Sequence, residues 1–292
     1  MSSVDNRIVL HDGRRLSYAE YGDPHGKPLI YFHGFPSSRL EAALCHAVFR
    51  RRHFRVIAVD RPGYGLSDFQ PERRISDWPD DVVELAGLLG IEQFALLGVS
   101  GGGPYALACA WKIPQRLTAV GVVCGLGPVY HDEVLRAMRW HARLAFALAQ
   151  RSHKLLSLVY GGIPSSVVLA CPELAYRWLT TMGSPADQEV LRRREVKMRL
   201  LASLRESLRQ GPEGVLRDAV LYAHDWGFPI EDIEMSVDLW HGEIDRIVPR
   251  YHADVIASTL ARGRLRMIPD EGHFSLPMKH CDAILEDIAS RE

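Results

Sequence analysis

Short apolar runs alternate with amphipathic stretches along most of the chain, and this alternation limits the possible folds more than any other feature. The runs are flanked by Gly, Pro or Asp residues and cover positions 28–32, 54–59, 94–99, 117–124, 237–240 and 265–268. Runs of this length without polar alternation are typical of strands buried on both faces. Amphipathic stretches lie at 40–52, 80–89, 101–111 and 280–290. The pattern predicts an α/β fold, with a mostly parallel sheet covered by helices on both faces.

The N-terminal segment departs from this pattern. Residues 7–10 and 15–21 flank the turn His11-Asp12-Gly13 and show apolar and polar side chains in alternation. This arrangement predicts a β-hairpin, which would add antiparallel pairing at one edge of an otherwise parallel sheet.

A second departure lies between residues 126 and 235, where no clear strand pattern appears. Helical periodicity dominates there, as in residues 134–144 and 191–208. Ser184-Pro185 is typical of the start of the second of these helices, and Gly211-Pro212 of its end. Because a structureless loop of this length is uncommon in a compact domain, we predict a helical cap at 126–235. The cap would be inserted into a core made of residues 1–125 and 236–292.

The composition excludes several classes of protein. The 292 residues include 35 Lys and Arg against 36 Asp and Glu, so the basic excess of a duplex-binding protein is absent and no nucleic-acid partner is expected. No window holds about 18 consecutive apolar residues, which predicts that no segment spans a membrane. The N-terminus has no basic region followed by an apolar stretch, so no signal peptide is expected.

Cysteine usage indicates the compartment. The five cysteines are scattered and form no CxxC pair or His/Cys cluster, so we expect no structural zinc site. They are typical of buried thiols in a reducing environment, which predicts a cytoplasmic protein. Their positions are Cys45, Cys109, Cys124, Cys171 and Cys281.

The motif that indicates chemistry is Gly98-Val99-Ser100-Gly101-Gly102, which directly follows an apolar run and precedes an Ala/Leu-rich helix. A strand that turns sharply into a helix strains the serine, and side chains beside it would collide, so glycines are required. The turn would project the Ser100 hydroxyl into a cleft at the helix N-terminus, where N–H groups and the dipole favour an oxyanion. A phosphate-binding turn is the alternative, but no Lys follows as in a P-loop.

A serine hydroxyl is a poor nucleophile until a base takes its proton. His273 lies between the last apolar run and the last helix, at the carboxyl end of a predicted strand, where sites of open α/β sheets collect. The base needs an acid that fixes its tautomer, and Asp245 follows the preceding strand at the same edge. Glu243 and Asp270 are the competing carboxylates. We therefore predict a line from Ser100 through His273 to Asp245.

An oxyanion hole is the fourth part of such a site. One N–H should come from Gly101, the residue after the nucleophile, and a second from the loop after an earlier strand. That loop is His33-Gly34-Phe35-Pro36, and Phe35 is the predicted donor.

Together these motifs resemble the α/β-hydrolase fold superfamily over residues 30–286, and within it the capped serine hydrolases of the proline iminopeptidase and lactone/ester hydrolase branch. The chain order Ser100, Asp245, His273 is that of the superfamily. The resemblance implies that residues 60–67 form a structural loop beside the site, which leaves Asp60 outside the triad. The motifs are His33-Gly34-Phe35-Pro36, Asp60-Arg61-Pro62-Gly63-Tyr64-Gly65-Leu66-Ser67, Gly98-Val99-Ser100-Gly101-Gly102, Trp240-His241-Gly242-x-x-Asp245 and Gly272-His273.

Two departures from relatives of this fold matter. Ser100 stands where haloalkane dehalogenases and epoxide hydrolases have a nucleophilic aspartate, which excludes both activities. Gly101-Gly102-Gly103 followed by Pro104 differs from the common Ser-x-Gly-Gly pattern and weakens any assignment to a subfamily.

The predicted cap should cover Ser100 and form most of the substrate pocket. Within it, residues 191–210 hold seven basic residues against two acidic ones, a pattern that would fit an acidic substrate or an anionic membrane. We interpret it as a solvated helix face, because residues 126–235 as a whole hold 14 basic and 13 acidic residues.

The sequence thus predicts a serine hydrolase that cleaves a small to medium carboxylic ester or lactone of apolar character through an acyl-enzyme, without metal or organic cofactor. Amide or N-terminal peptide hydrolysis comes second and carbon–carbon bond hydrolysis third. A ligand receptor with little or no turnover, or a cofactor-free oxygenase or perhydrolase, is the alternative, since one fold hosts many chemistries. The expected partner is a small-molecule substrate, and the expected assembly is a monomer or homodimer.

Overall fold

One sheet organises the part of the chain that the computed structural model describes, which is residues 4–161, 165–166 and 169–291. Its eight strands have the spatial order β1-β2-β4-β3-β5-β6-β7-β8. The strands are β1 Asn6–Val9, β2 Arg15–Gly22, β3 Lys27–Phe32, β4 Phe54–Val59, β5 Phe94–Val99, β6 Leu117–Val123, β7 Val237–Gly242 and β8 Gly263–Ile268.

The strand directions agree with the sequence pattern. β1 pairs with β2 and β2 with β4 in antiparallel fashion, which confirms the predicted hairpin at the N-terminal edge. The pairs from β4 through β3, β5, β6 and β7 to β8 are all parallel. β7 is longer than predicted because His241 and Gly242, which carry no apolar signal, continue the ladder. β8 likewise begins earlier than predicted, since Gly263 and Arg264 already pair with β7.

Helices cover both faces of the sheet, as predicted. Along β3, Ile30 and Phe32 face one apolar cluster, whereas Leu29 and Tyr31 face another. This alternation is what the period of two along a strand requires. The helices are α1 His46–Arg51, α2 Trp78–Leu88, α3 Gly103–Lys112, α4 Asp132–Ala137, α5 Trp140–Arg151, α6 His153–Tyr160, α7 Pro172–Met182, α8 Pro185–Leu191, α9 Arg194–Ser207, α10 Glu213–Ala223, α11 Tyr251–Thr259, α12 Ser275–Lys279 and α13 Cys281–Ala289.

Between β6 and β7 the described residues form helices α4–α10 and no strand. The continuous helices predicted over 134–144 and 191–208 are wrong, because each is broken. The first is interrupted between α4 and α5, where Met138 and Arg139 are extended. The second is interrupted between α8 and α9, where the Tyr176 hydroxyl donates to the Leu191 carbonyl at 2.6 Å and satisfies one of the free carbonyls at a helix end. The division of the chain at residues 125 and 235 stays a prediction.

A buried ionic cluster fixes α10 against the core. The Asp218 carboxylate on α10 is fully buried and accepts hydrogen bonds from two arginines of the core, Arg61 at 2.7 Å and Arg73 at 2.5 Å. Burial alone would raise the pKa of Asp218, but the two guanidinium groups outweigh it and the pKa is lowered. The hydroxyls of Tyr64 and Tyr105 donate to the same carboxylate at 2.8 Å and 2.6 Å.

No helix among the described residues is long and apolar enough to cross a membrane.

Replacement of Asp218 by Asn should lower the free energy of unfolding by about 3–5 kcal/mol, because two buried guanidinium groups lose their counter-charge. Urea unfolding measures this change. Asp254→Asn is the matched control, since Asp254 is 40% exposed and forms a 3.4 Å surface pair with Arg250, and should cost less than about 1 kcal/mol. Equal, small changes in both variants would show that the cluster contributes little to stability.

Candidate active site

The turn after β5 has the conformation that the Gly-rich motif predicts. Ser100 has a φ of +53°, a left-handed value that is uncommon for a residue with a side chain. Such a conformation costs on the order of 1–3 kcal/mol and persists only where the surrounding structure imposes it. Residues Ser100–Gly102 then form a single 3-10 turn that leads into α3. Ser100 therefore sits at the carboxyl end of a central strand and the start of a helix.

Glycines beside Ser100 allow strand, turn and helix to approach closely. A Cβ on Gly102 would lie 2.3 Å from the Phe32 carbonyl oxygen, and a Cβ on Gly98 would lie 2.6 Å from the Gly102 carbonyl oxygen. Both contacts are far shorter than real carbon–oxygen contacts. The collisions expected from the sequence are thus the reason for glycine at these two positions.

The structure brings the three predicted side chains into one hydrogen-bonded line. His273 Nε2 lies 3.0 Å from Ser100 Oγ, and His273 Nδ1 lies 2.8 Å from Asp245 Oδ2. All three residues are buried, with exposed fractions of 8% for Ser100, 5% for His273 and 6% for Asp245. Ser100 follows β5, Asp245 follows β7 and His273 follows β8, so parallel strands deliver them to the same edge of the sheet.

Electrostatics favour a charged Asp245 beside His273. Burial disfavours the Asp245 carboxylate, but His273 outweighs this and lowers the pKa of Asp245. The carboxylate also accepts the N–H groups of Ile247 at 2.8 Å and Val248 at 2.9 Å. Burial likewise disfavours the imidazolium, but the adjacent Asp245 carboxylate outweighs it, so the pKa of His273 is raised. The charged Asp245 carboxylate thus stabilises the protonated form of His273.

The other carboxylates that the sequence offered have different surroundings. Glu243 is 47% exposed and lies 3.6 Å from Arg250. Asp270 is exposed at a turn and has a φ of +59°. Asp60 is fully buried, but it accepts hydrogen bonds from the Arg39 N–H at 2.7 Å and the Ser17 hydroxyl at 2.8 Å. The Asp60 carboxylate is therefore bonded to Arg39 and Ser17 and holds its loop in place.

The loop after β3 lies against the turn that holds Ser100. A Cβ on Gly101 would lie 2.6 Å from the Phe35 Cβ, and a Cβ on Gly34 would lie 3.6 Å from the Ser100 Cβ. In the peptide bonds Gly34–Phe35 and Ser100–Gly101, the carbonyl oxygen accepts a hydrogen bond. Arg61 donates to the Gly34 carbonyl at 2.9 Å, and the Leu126 N–H donates to the Ser100 carbonyl at 3.0 Å. These bonds orient the two peptides whose N–H groups belong to Phe35 and Gly101.

The buried ionic cluster described above reaches this loop and this turn. Arg61, which pairs with Asp218, also donates to the His33 carbonyl at 2.6 Å. Tyr222 on α10 donates its hydroxyl to the Gly101 carbonyl at 2.8 Å. Arg61 belongs to the motif at residues 60–67 that the sequence analysis identified. Asp218 belongs to no motif, and in an amphipathic helix its sequence position does not indicate that it is buried.

Asp187 is a second residue that the sequence did not reveal. It lies on α8, is fully buried, and accepts backbone N–H groups from the loop that carries His273. The donors are His273 at 3.2 Å, Phe274 at 2.7 Å and Ser275 at 2.9 Å. The same carboxylate accepts the Ser184 N–H at 2.9 Å in a capping box. In the sequence only the helix start at Ser184-Pro185 was visible, and nothing there indicated Asp187.

A cavity of about 420 Å³ adjoins Ser100 and His273. Its walls come from the core, including Phe35 and Glu41, and from helices α6, α7 and α9. Glu41 is oriented within the site, because it accepts the Tyr31 hydroxyl at 2.6 Å and the Gly34 N–H at 3.2 Å. The helical residues in the wall are Tyr160, Ala175, Tyr176, Trp178, Leu179, Leu200 and Leu204.

Among the described residues, one group of potential metal ligands lies close together, namely Cys124, Asp245 and His273, within 4.8 Å of one another. Burial raises the pKa of the Cys124 thiol well above its ordinary value. Since the thiolate is the form that binds metals, and since Asp245 and His273 already bond each other, the donor set fits a hydrogen-bonded pair better than a metal site.

Comparison with known proteins finds relatives that match nearly the whole chain. A proline iminopeptidase of Xylella fastidiosa (strain 9a5c) is 25% identical over 309 aligned residues, which cover 95% of this chain and 93% of that protein. An enol-lactonase from Burkholderia xenovorans LB400 has a TM-score of 0.69 at 18% identity, with 98% of this chain and 99% of that chain covered. A bromoperoxidase from Bacillus anthracis has a TM-score of 0.73 at 17% identity, and the match covers 100% of this chain and 99% of that chain.

At such low sequence identity, the two solved structures show a likeness in fold alone. The family model described as "Alpha/beta hydrolase family" matches residues 29–287, which is most of the chain and includes every strand from β4 to β8. The chain therefore belongs to the alpha/beta hydrolase family.

Proposed function

We propose that this chain is a serine hydrolase that cleaves a carboxylic ester or lactone through an acyl-enzyme. The observation that carries the proposal is the position of His273, whose two ring nitrogens lie within hydrogen-bond distance of Ser100 and Asp245. In this proposal Ser100 is the nucleophile, His273 the base and Asp245 the acid that fixes the tautomer of His273.

In the first half-reaction the Ser100 oxygen forms a bond to the substrate carbonyl carbon, and its proton moves to His273 Nε2. The carbonyl π bond opens, which places the negative charge on oxygen. This intermediate collapses as the C–O bond to the leaving alcohol breaks, and His273 returns the proton to that oxygen. The products are the free alcohol and an acyl group on Ser100; for a lactone both remain one molecule.

In the second half-reaction water replaces the alcohol. His273 takes a proton from water as the water oxygen bonds to the acyl carbon, and then gives that proton to Ser100 as the acyl bond breaks. The raised pKa of His273 suits this role, because the imidazole must hold a proton briefly in each half.

We further propose that the N–H groups of Phe35 and Gly101 bind the oxyanion. Their support is the close approach of the two residues and the hydrogen bonds that orient both peptides, from Arg61 and from Leu126. Preorganised donors of this kind typically contribute about 3 kcal/mol each to the transition state.

The cavity favours an apolar substrate of small to medium size. About 420 Å³ of space is walled mainly by aliphatic and aromatic side chains, and much of the wall comes from residues 160–204. We therefore propose that residues 126–235 act as the cap that shapes the acyl and leaving-group pockets.

Ser100→Ala should lower kcat for hydrolysis of a short-chain 4-nitrophenyl ester by about 10⁴-fold or more, because the nucleophile is removed. Release of 4-nitrophenol over many turnovers measures the activity of the wild type. Ser258→Ala, at an exposed position on α11, is the matched control and should retain that activity. A wild type that stops after about one equivalent would favour a receptor, and an active Ser100→Ala variant would show that another group is the nucleophile.

Asp187 is proposed as a positioning residue, since it holds the backbone of the His273 loop and is not among the residues that line the cavity. Because His273 must be neutral to accept a proton, kcat/KM should fall as the pH drops through its raised pKa. Burial lowers the pKa of His273, the Asp245 carboxylate more than offsets this, and the nearby Asp187 charge raises the pKa further. Asp187→Asn should therefore move the acid limb of the pH profile to lower pH and reduce kcat by roughly ten- to a hundredfold.

Glu189→Gln provides the control for this experiment. Glu189 lies on the same helix, is 61% exposed and lies 3.4 Å from Lys279 on the surface. Its replacement should leave the acid limb and kcat close to those of the wild type. An unchanged acid limb in Asp187→Asn, or an equal shift in both variants, would contradict the positioning role.

A further inference from the structure

Helix α5 presents large apolar side chains to solvent beside arginines. Trp140 is 73% exposed and Leu144 is 46% exposed. Arg143 and Arg151 are exposed on the same side of the helix, since the spacing 140, 143, 144 and 151 repeats with the helical period. The opposite side of α5 is buried, with Phe146 in the apolar core.

Helix α6 packs against α5 and also exposes apolar side chains. Leu158 is 78% exposed and Leu155 is 46% exposed, and the exposed Lys154 stands beside them. Leu156, which points the other way, is buried in the core. We call the exposed sides of α5 and α6 the cap face, defined by Trp140, Arg143, Leu144, Arg151, Lys154, Leu155 and Leu158.

The charge of the cap face has one sign. Between residues 134 and 172 the chain has four arginines and one lysine but no aspartate or glutamate. The acidic residues that balance residues 126–235 lie outside this segment. Among the described residues, Arg143, Arg151 and Lys154 form no ion pair, so their charges are free to act on a partner.

The cap face adjoins the cavity that contains Ser100. Tyr160, at the end of α6, and Trp178 on α7 both line this cavity, and both are exposed. The Trp178 ring packs edge-on against the His141 ring of α5, with 5.1 Å between ring centroids. A partner that covers the cap face would therefore lie next to these cavity-lining residues.

We propose that the cap face docks on an anionic phospholipid membrane. Helices that lie in a membrane interface combine exposed Trp and Leu, which enter the acyl boundary, with Lys and Arg, which attract anionic head groups. A second copy of the chain is disfavoured as the occupant, because a symmetric contact would set two basic faces against each other. Docking would bring the exposed cavity residues Tyr160 and Trp178 close to the lipid surface, where apolar substrates concentrate.

Vesicle co-sedimentation tests this proposal with the full chain. The wild type should bind vesicles that contain phosphatidylcholine and phosphatidylglycerol in a ratio of about two to one. It should bind pure phosphatidylcholine at least tenfold more weakly, and lose binding to the anionic vesicles as NaCl is raised. Arg143→Glu/Arg151→Glu should weaken binding to the anionic vesicles by more than about tenfold, since each basic residue near such a surface contributes roughly fivefold. Trp140→Ser/Leu158→Ser should also weaken it, by loss of the apolar contact.

Arg262→Glu is the control for a charge reversal elsewhere on the surface, with half the charge change of the double variant. Arg262 is exposed in the turn before β8, at the end of the strand away from Ser100, and its replacement should leave vesicle binding unchanged. Equal binding to both kinds of vesicle, no binding at all, or an equal effect of Arg262→Glu would overturn the proposal. Sedimentation velocity without vesicles tests for a dimer. If the wild type is a dimer and Trp140→Ser/Leu158→Ser is a monomer, the cap face binds a second copy of the chain and the membrane proposal is overturned.

Discussion

The common direction of β5, β7 and β8 is the constraint on which the site depends. Parallel strands end at one edge of a sheet, so residues that are far apart in sequence can follow nearby strands and still meet. Ser100, Asp245 and His273 meet in this way, with hydrogen bonds of 3.0 Å and 2.8 Å between them. Bringing the Ser100 hydroxyl to that edge requires a strained backbone at Ser100 and glycines beside it.

Two buried carboxylates connect this edge to the helices that lie between β6 and β7. Asp218 pairs with Arg61, which in turn holds the loop that carries Phe35. Asp187 accepts three N–H groups from the loop that carries His273. Because both carboxylates lie on helices between β6 and β7, this part of the chain contributes to the geometry of the site as well as to the walls of its cavity.

Much of this structure could be predicted from the sequence, and the exceptions have physical reasons. Strands β4 and β5 and the residues at the sheet edge followed from apolar runs and from glycines that a sharp turn requires. The helix breaks at Met138 and after Leu191 did not, because tertiary contacts such as the Tyr176 bond override periodicity. Asp187 and Asp218 were missed because a buried carboxylate in an amphipathic helix looks like a solvated one until its partners are known.

The most direct test of the account is to map the site of covalent modification by a fluorophosphonate. Peptide mass spectrometry should find the adduct on Ser100 in the wild type, and the rate of modification should fall sharply in His273→Ala, since the hydroxyl then lacks its base. An adduct on another residue, or an undiminished rate in His273→Ala, would contradict the hydrogen-bonded line from Ser100 to Asp245 as the source of reactivity.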